Sequence, residues 1–121
     1  MSVHQIQEEA QLEDIILDNT DKLIVADFYA TWCGPCSKIT PKLNGLASDD
    51  KYKDSVVFVK VDVDEAEPEF LEKMEVNAMP TFRLFKNGNM DPVDLFIGAI
   101  EPKLRAVINK NMPKPGESSN N

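Results

Sequence analysis

Hydrophobic residues in this chain fall into short runs and helical stripes separated by polar breaks. Val3 to Gln7 alternates weakly, the pattern of a short edge strand. From Glu9 to Asn19, the residues Ala10, Leu12, Ile15 and Ile16 recur at helical spacing, and Asn19-Thr20-Asp21 breaks the pattern. Leu23-Ile24-Val25-Ala26-Asp27-Phe28-Tyr29 is a near-continuous apolar run of strand length, as expected for a strand buried on both faces. From Cys36 onward, Ile39, Leu43, Leu46 and Ala47 return to helical spacing. Pro41 inside this stretch removes a backbone donor and predicts a kink. Ser55 to Asp62 reads as a second buried strand. Glu67 to Glu75 reads as a short helix, with Pro68 in its first turn.

Thr81 to Lys86 is a third clear strand, and the Asn87-Gly88 pair after it is a strong hairpin signal. Val93 to Ile97 is the returning strand. Pro102 to Lys110 is a closing amphipathic helix with Leu104, Val107 and Ile108 inward. The order is βαβαβαββα. Helices between the early strands favour parallel crossovers, and the Asn87-Gly88 turn makes the last pair antiparallel. The expected fold class is α/β, with a central mixed five-stranded sheet flanked by four helices. Residues 1–111 form one domain, and the polar, Pro/Gly-rich tail at 112–121 is expected to be disordered.

Composition narrows the function. The chain has 121 residues, enough for one domain with its own core. Its net charge of -8 argues against nucleic acid and anionic membranes as partners. The N-terminus shows no basic-then-apolar leader, and no apolar run is long enough to span a bilayer, so a cytoplasmic location is expected. There are two cysteines and one histidine. His4 lies far along the chain from the cysteines, so a four-ligand zinc site cannot be completed and no metal is expected. No Gly-rich dinucleotide fingerprint is present, so no bound cofactor is expected.

The candidate chemistry lies in Trp32-Cys33-Gly34-Pro35-Cys36. Cys33 sits between a buried strand and a helix start, where unpaired N–H groups and the helix dipole stabilise negative charge. The thiolate is the attacking species, so this placement makes Cys33 the nucleophile. Cys36, one turn on, can close and reopen a disulfide with it as the resolving thiol. Gly34 permits close approach of a substrate, and Pro35 stiffens the turn. Asp27 places a carboxylate within a buried run. Burial there raises its pKa and suits it to exchange protons with Cys36. The alternative is an exposed strand end that caps a turn. Lys60 has an equally plain reading as a lysine snorkelling from its strand. Trp32 is either core or a cover over the dithiol that contacts substrate. Asp62-Val63-Asp64-Glu65 lacks calcium-loop spacing and reads as a solvated strand end.

The sequence resembles the thioredoxin family from the first strand to the closing helix. The motifs are Asp27-Phe28-Tyr29-Ala30-Thr31-Trp32-Cys33-Gly34-Pro35-Cys36, Pro41, Met79-Pro80-Thr81-Phe82, Phe85-Lys86-Asn87-Gly88 and Gly98-Ala99. The resemblance implies a thioredoxin fold, a redox-active Cys33–Cys36 disulfide, Asp27 as the buried proton acceptor and Lys60 beside it. It also implies a cis bond at Met79-Pro80, with the Met79 backbone pairing to substrate and Ile97-Gly98-Ala99 flanking the groove. The implied activity is protein-disulfide reduction by a monomer acting on disulfide-containing target proteins, with electrons from an NADPH-dependent thioredoxin reductase. A disulfide-isomerase-like oxidant and a redox-dependent binding module are the alternatives. Tyr29 stands where the family often has tryptophan, and the stretch from Asn89 to Ile97 is about two residues longer than the bacterial pattern.

Overall fold

The computed structural model describes residues 3–114. In chain order, β1 is Val3–Ile6, α1 Glu9–Asp18, β2 Leu23–Tyr29, α2 Gly34–Ser48, β3 Val56–Asp62, α3 Pro68–Lys73, β4 Thr81–Phe85, β5 Asp94–Ile97 and α4 Glu101–Lys110. The strands form one sheet in the order β1-β3-β2-β4-β5, so the Asp27 strand lies at its centre.

The apolar runs account for this arrangement. Every residue of β2 from Leu23 to Phe28 is buried. Leu23 and Val25 point to the face covered by α2 and α4, where Ile39, Leu43, Leu104 and Ile108 complete a core. Ile24, Ala26 and Phe28 point to the other face, against Leu12 and Ile16 of α1 and Phe70 of α3. Phe28 and Phe70 meet edge to face with ring centroids 5.5 Å apart. Burying each such side chain stabilises the fold by about 1.5–3 kcal/mol. Tyr52, from the turn after α2, is wholly buried and donates its hydroxyl to Asn109 Oδ1 at 2.6 Å, tying that turn to α4.

β1, β3 and β2 run parallel, as helical crossovers require. β4 runs antiparallel to β2, so the chain reverses before the hairpin and not only at it. β4 starts at the end of the sheet where β3 finishes: Thr81 pairs with Phe28 and Asp62 with Tyr29.

The Asn87-Gly88 turn forms, with φ of 61° and 70° and an Asn89 N–H to Lys86 carbonyl bond of 3.1 Å. Both central residues are left-handed, as a tight hairpin turn demands. Gly88 also passes close to Thr20, whose Cγ2 would lie 3.0 Å from an added Cβ. The turn does not set the strand register. A two-residue hairpin would place Phe85 opposite Met90, but Leu84 stands opposite Asp94. Met90 packs against the α1/α3 core, and the extra residues loop out around Pro92 before pairing resumes. At the C-terminal end, Met112 packs against the α2/α4 core. Residues 115–121 of the expected disordered tail lie outside the described residues.

Candidate active site

The dithiol sits where β2 hands over to α2. Cys33 is the N-cap of α2, with its own N–H bonded to Ala30 carbonyl at 3.2 Å. Its sulfur accepts the Cys36 N–H at 3.2 Å. One donor of the helix N-terminus is thus already aimed at Cys33 Sγ, and it favours negative charge there. Pro35, in the first turn, has no N–H to leave unpaired. Cys33 and Cys36 form a disulfide with a Cα–Cα separation of 5.3 Å. The two thiols are not equivalent: Cys33 is 8% exposed and Cys36 1%.

Three distant segments converge on Cys33. The Met79-Pro80 bond is cis. The Met79 carbonyl oxygen lies 3.7 Å from Cys33 Sγ. Pro80 carbonyl accepts the Gly98 N–H at 3.0 Å, bringing Ile97-Gly98-Ala99 alongside. Gly98 has φ of +131°, a conformation that favours glycine. Ile97 is 54% exposed, and Ala99 packs inward against the α2/α4 core. Trp32 is 68% exposed, which settles that it is not core. Its indole N–H donates to Asp64 Oδ2 at 2.9 Å. Cys36 is among the residues that line a surface pocket of about 350 Å³, with Tyr29, Ser37, Thr40 and Pro41.

Asp27 lies on the α2 face of β2, in register with Lys60 on β3 and Phe82 on β4. It is wholly buried, and neither carboxylate oxygen has a hydrogen-bonding partner among the described residues. Burial pushes its pKa up to about 7, while the positive charge of Lys60 pulls in the other direction. Burial wins because Lys60 acts through space only. Its ammonium sits over the Tyr29 ring, 4.7 Å from the centroid. The reading of Asp27 as an exposed cap is therefore excluded, and the half-buried Lys60 is both near Asp27 and packed along its neighbour's ring.

Some site residues carried no usable signal in the sequence. Asp64 sits in an acidic stretch that reads as solvated, and only the β2–β3 register brings it to Trp32. Thr81 donates its hydroxyl to Ala78 carbonyl at 2.5 Å and closes the turn that presents Pro80. Arg83 reaches from β4 to Met74 carbonyl at 2.9 Å and to Glu75 at 3.2 Å, holding the segment that leads to Met79. Among the described residues, no group of three or more His, Cys, Asp and Glu side chains is placed to hold a metal ion. None of the described helices is long and apolar enough to cross a membrane.

Comparison with known proteins agrees with this geometry. The thioredoxin family profile matches residues 3–110. Thioredoxin-T of Drosophila melanogaster is 43% identical over 90% of this chain, which spans 66% of that longer protein. The thioredoxin of Oryctolagus cuniculus is 42% identical over 89% of this chain and 97% of its own. The crystal structure of Fasciola hepatica thioredoxin superposes with a TM-score of 0.80 at 46% identity, covering 89% of this chain and 98% of that one. With a Cys-Gly-Pro-Cys pair bonded at the start of α2, the chain belongs to the thioredoxin family of dithiol–disulfide oxidoreductases.

Proposed function

We propose that this chain reduces disulfides in other proteins, acting as a monomer in the cytoplasm and as an electron carrier for cell redox homeostasis. In its reduced form, the Cys33 thiolate attacks one sulfur of a target disulfide. A mixed disulfide forms with Cys33, and the other target sulfur leaves as a thiolate that takes up a proton. Cys36 then attacks Cys33 Sγ, the Cys33–target bond breaks, and the second target thiol is released. Two electrons pass to the target, and the Cys33–Cys36 disulfide is left. Asp27 accepts the proton that Cys36 must lose before it attacks, and Lys60 tunes that carboxyl. A thioredoxin reductase supplied by NADPH restores the dithiol.

The observation that carries this reading is the asymmetry of the pair. Cys33 is the more exposed thiol, at a helix N-cap with an amide on its sulfur, and Cys36 is closed off behind it. The remaining residues complete the proposed groove. The Met79 backbone and Pro80 line the edge along which the target chain lies. Gly34 and Pro35 form its floor, and Trp32 and Ile97-Gly98-Ala99 its sides. The acidic surface disfavours nucleic acid.

The test is insulin reduction driven by NADPH and a thioredoxin reductase. Cys33→Ser is expected to abolish turnover. Asp27→Asn is expected to slow it about tenfold or more near neutral pH and to remove the inflection near pH 7, above which ionised Asp27 accepts the proton. Undiminished turnover in Cys33→Ser overturns the reading. An unchanged pH profile in Asp27→Asn overturns the proton role alone.

A further inference from the structure

β5 is one of the two edge strands of the sheet and, among the described residues, has only β4 beside it. Its two faces differ. On one, Phe96 packs toward Phe82 at 6.1 Å between ring centroids, and Asp94 accepts from Asn111 at 2.9 Å and pairs with Lys110 at 3.3 Å, so α4 covers this side. On the other, Leu95 and Ile97 stand opposite Arg83 and Thr81 and are 41% and 54% exposed. Val93, whose N–H bonds Leu84 carbonyl at 2.7 Å, adds a third apolar residue, 45% exposed, at the strand's start. Arg83 turns to Met74 and closes the β4 part of this face, but the row on β5 stays open.

An edge strand with large apolar side chains facing water is an aggregation liability that folds normally blunt with charge. Here the row persists, and it is continuous with the dithiol groove. Ile97 adjoins Gly98, whose N–H holds Pro80, and the Met79 carbonyl touches Cys33 Sγ at 3.7 Å. From Ile97 to Val93 the row extends about 13 Å away from the groove. A second copy of the chain is disfavoured as occupant, because each copy carries -8.

We propose that the Val93-Leu95-Ile97 row docks an extended apolar segment of the target protein, next in sequence to the target's disulfide. The segment lies across the exposed face of β5 with its alternate side chains on Leu95 and Ile97, and without a main-chain bond to the Leu95 N–H, which Asp94 Oδ1 already accepts at 2.8 Å. The row thereby selects targets whose cysteine is flanked by apolar residues on one side. This inference rests on the protein-disulfide reductase reading.

The experiment uses two peptide disulfides that are identical except on one side of the cysteine, where one carries alternating Leu and Ile and the other Ser and Asn. A small aromatic disulfide serves as reference, since it needs only the dithiol. The wild type is expected to prefer the apolar peptide about tenfold in kcat/KM, and Leu95→Glu to reduce that preference to about twofold or less relative to the reference. Leu95→Gln, which adds no charge, should fall between them. Equal kcat/KM for both peptides in the wild type overturns the inference, as does a preference that survives Leu95→Glu or an equal loss on all three substrates. A wild-type dimer in sedimentation that Leu95→Glu dissociates also overturns it and assigns the row to a second copy. A wild type inactive on every substrate would instead contradict the reductase reading itself.

Discussion

The carboxyl group of Asp27 titrates near pH 7 because removal from water outweighs the attraction of Lys60. The same balance sets how stability depends on pH. In the unfolded chain this group ionises near its ordinary value of 3.8, whereas in the folded chain it holds its proton up to about 7. Between those values the native state binds one more proton than the unfolded state, so this group's contribution falls as pH rises and levels off above 7. The full loss is on the order of 4 kcal/mol. Asp27→Asn cannot ionise. Urea denaturation of the oxidised protein is therefore expected to show the variant gaining several kcal/mol on the wild type between pH 4 and pH 8. A difference independent of pH would contradict the burial argument. Asp27 was legible in the sequence because it interrupts an apolar run. Asp64 was not, because its meaning depends on Trp32, in the loop after β2, a neighbour that periodicity does not reveal.

Arg83 shows how one side chain secures an element. It is mostly buried, and it satisfies the Met74 carbonyl at the end of α3, just before Glu75 takes a left-handed φ of 57°. Arg83→Leu leaves that carbonyl without its donor and should cost about 1–3 kcal/mol by denaturant unfolding. Glu75→Gln removes only an exposed partner, 77% accessible, and should cost less than about 1 kcal/mol. Equal losses would mean that the ion pair, and not the carbonyl bond, holds the segment. β2 and α2 were legible from run length and helical spacing. The reversal before β4 was not, because helical spacing shows that a helix lies between two strands but not at which end of the sheet the next strand begins. The Asn87-Gly88 turn was read correctly as a turn but not as a register, because Met90 finds a place in the core that local turn chemistry does not encode.

The whole molecule carries a strong net negative charge. The charge of -8 acts over distances longer than any single contact when salt is low. For two otherwise identical peptide disulfides, raising salt from about 10 mM to about 300 mM should lower kcat/KM for a cationic peptide and raise it for an anionic one, each by a few-fold. Stopped-flow reduction rates check this, and insensitivity of both peptides to salt would count against steering by the overall field. The α/β class, the mixed sheet and the position of the dithiol were legible because they rest on patterns that recur along the chain. The convergence of Cys33, Met79-Pro80 and Gly98 was expected only from the family resemblance and not from the hydrophobic pattern, because it is created by strand order.

The central claim is that Cys33 attacks and Cys36 resolves. The most direct measurement is capture of the intermediate in Cys36→Ser by a disulfide-bonded peptide, with the linkage mapped by mass spectrometry. The account predicts a stable mixed disulfide on Cys33, and none with Cys33→Ser, even though Cys36 remains in that variant. A mixed disulfide that forms as readily on Cys36 in Cys33→Ser would contradict it.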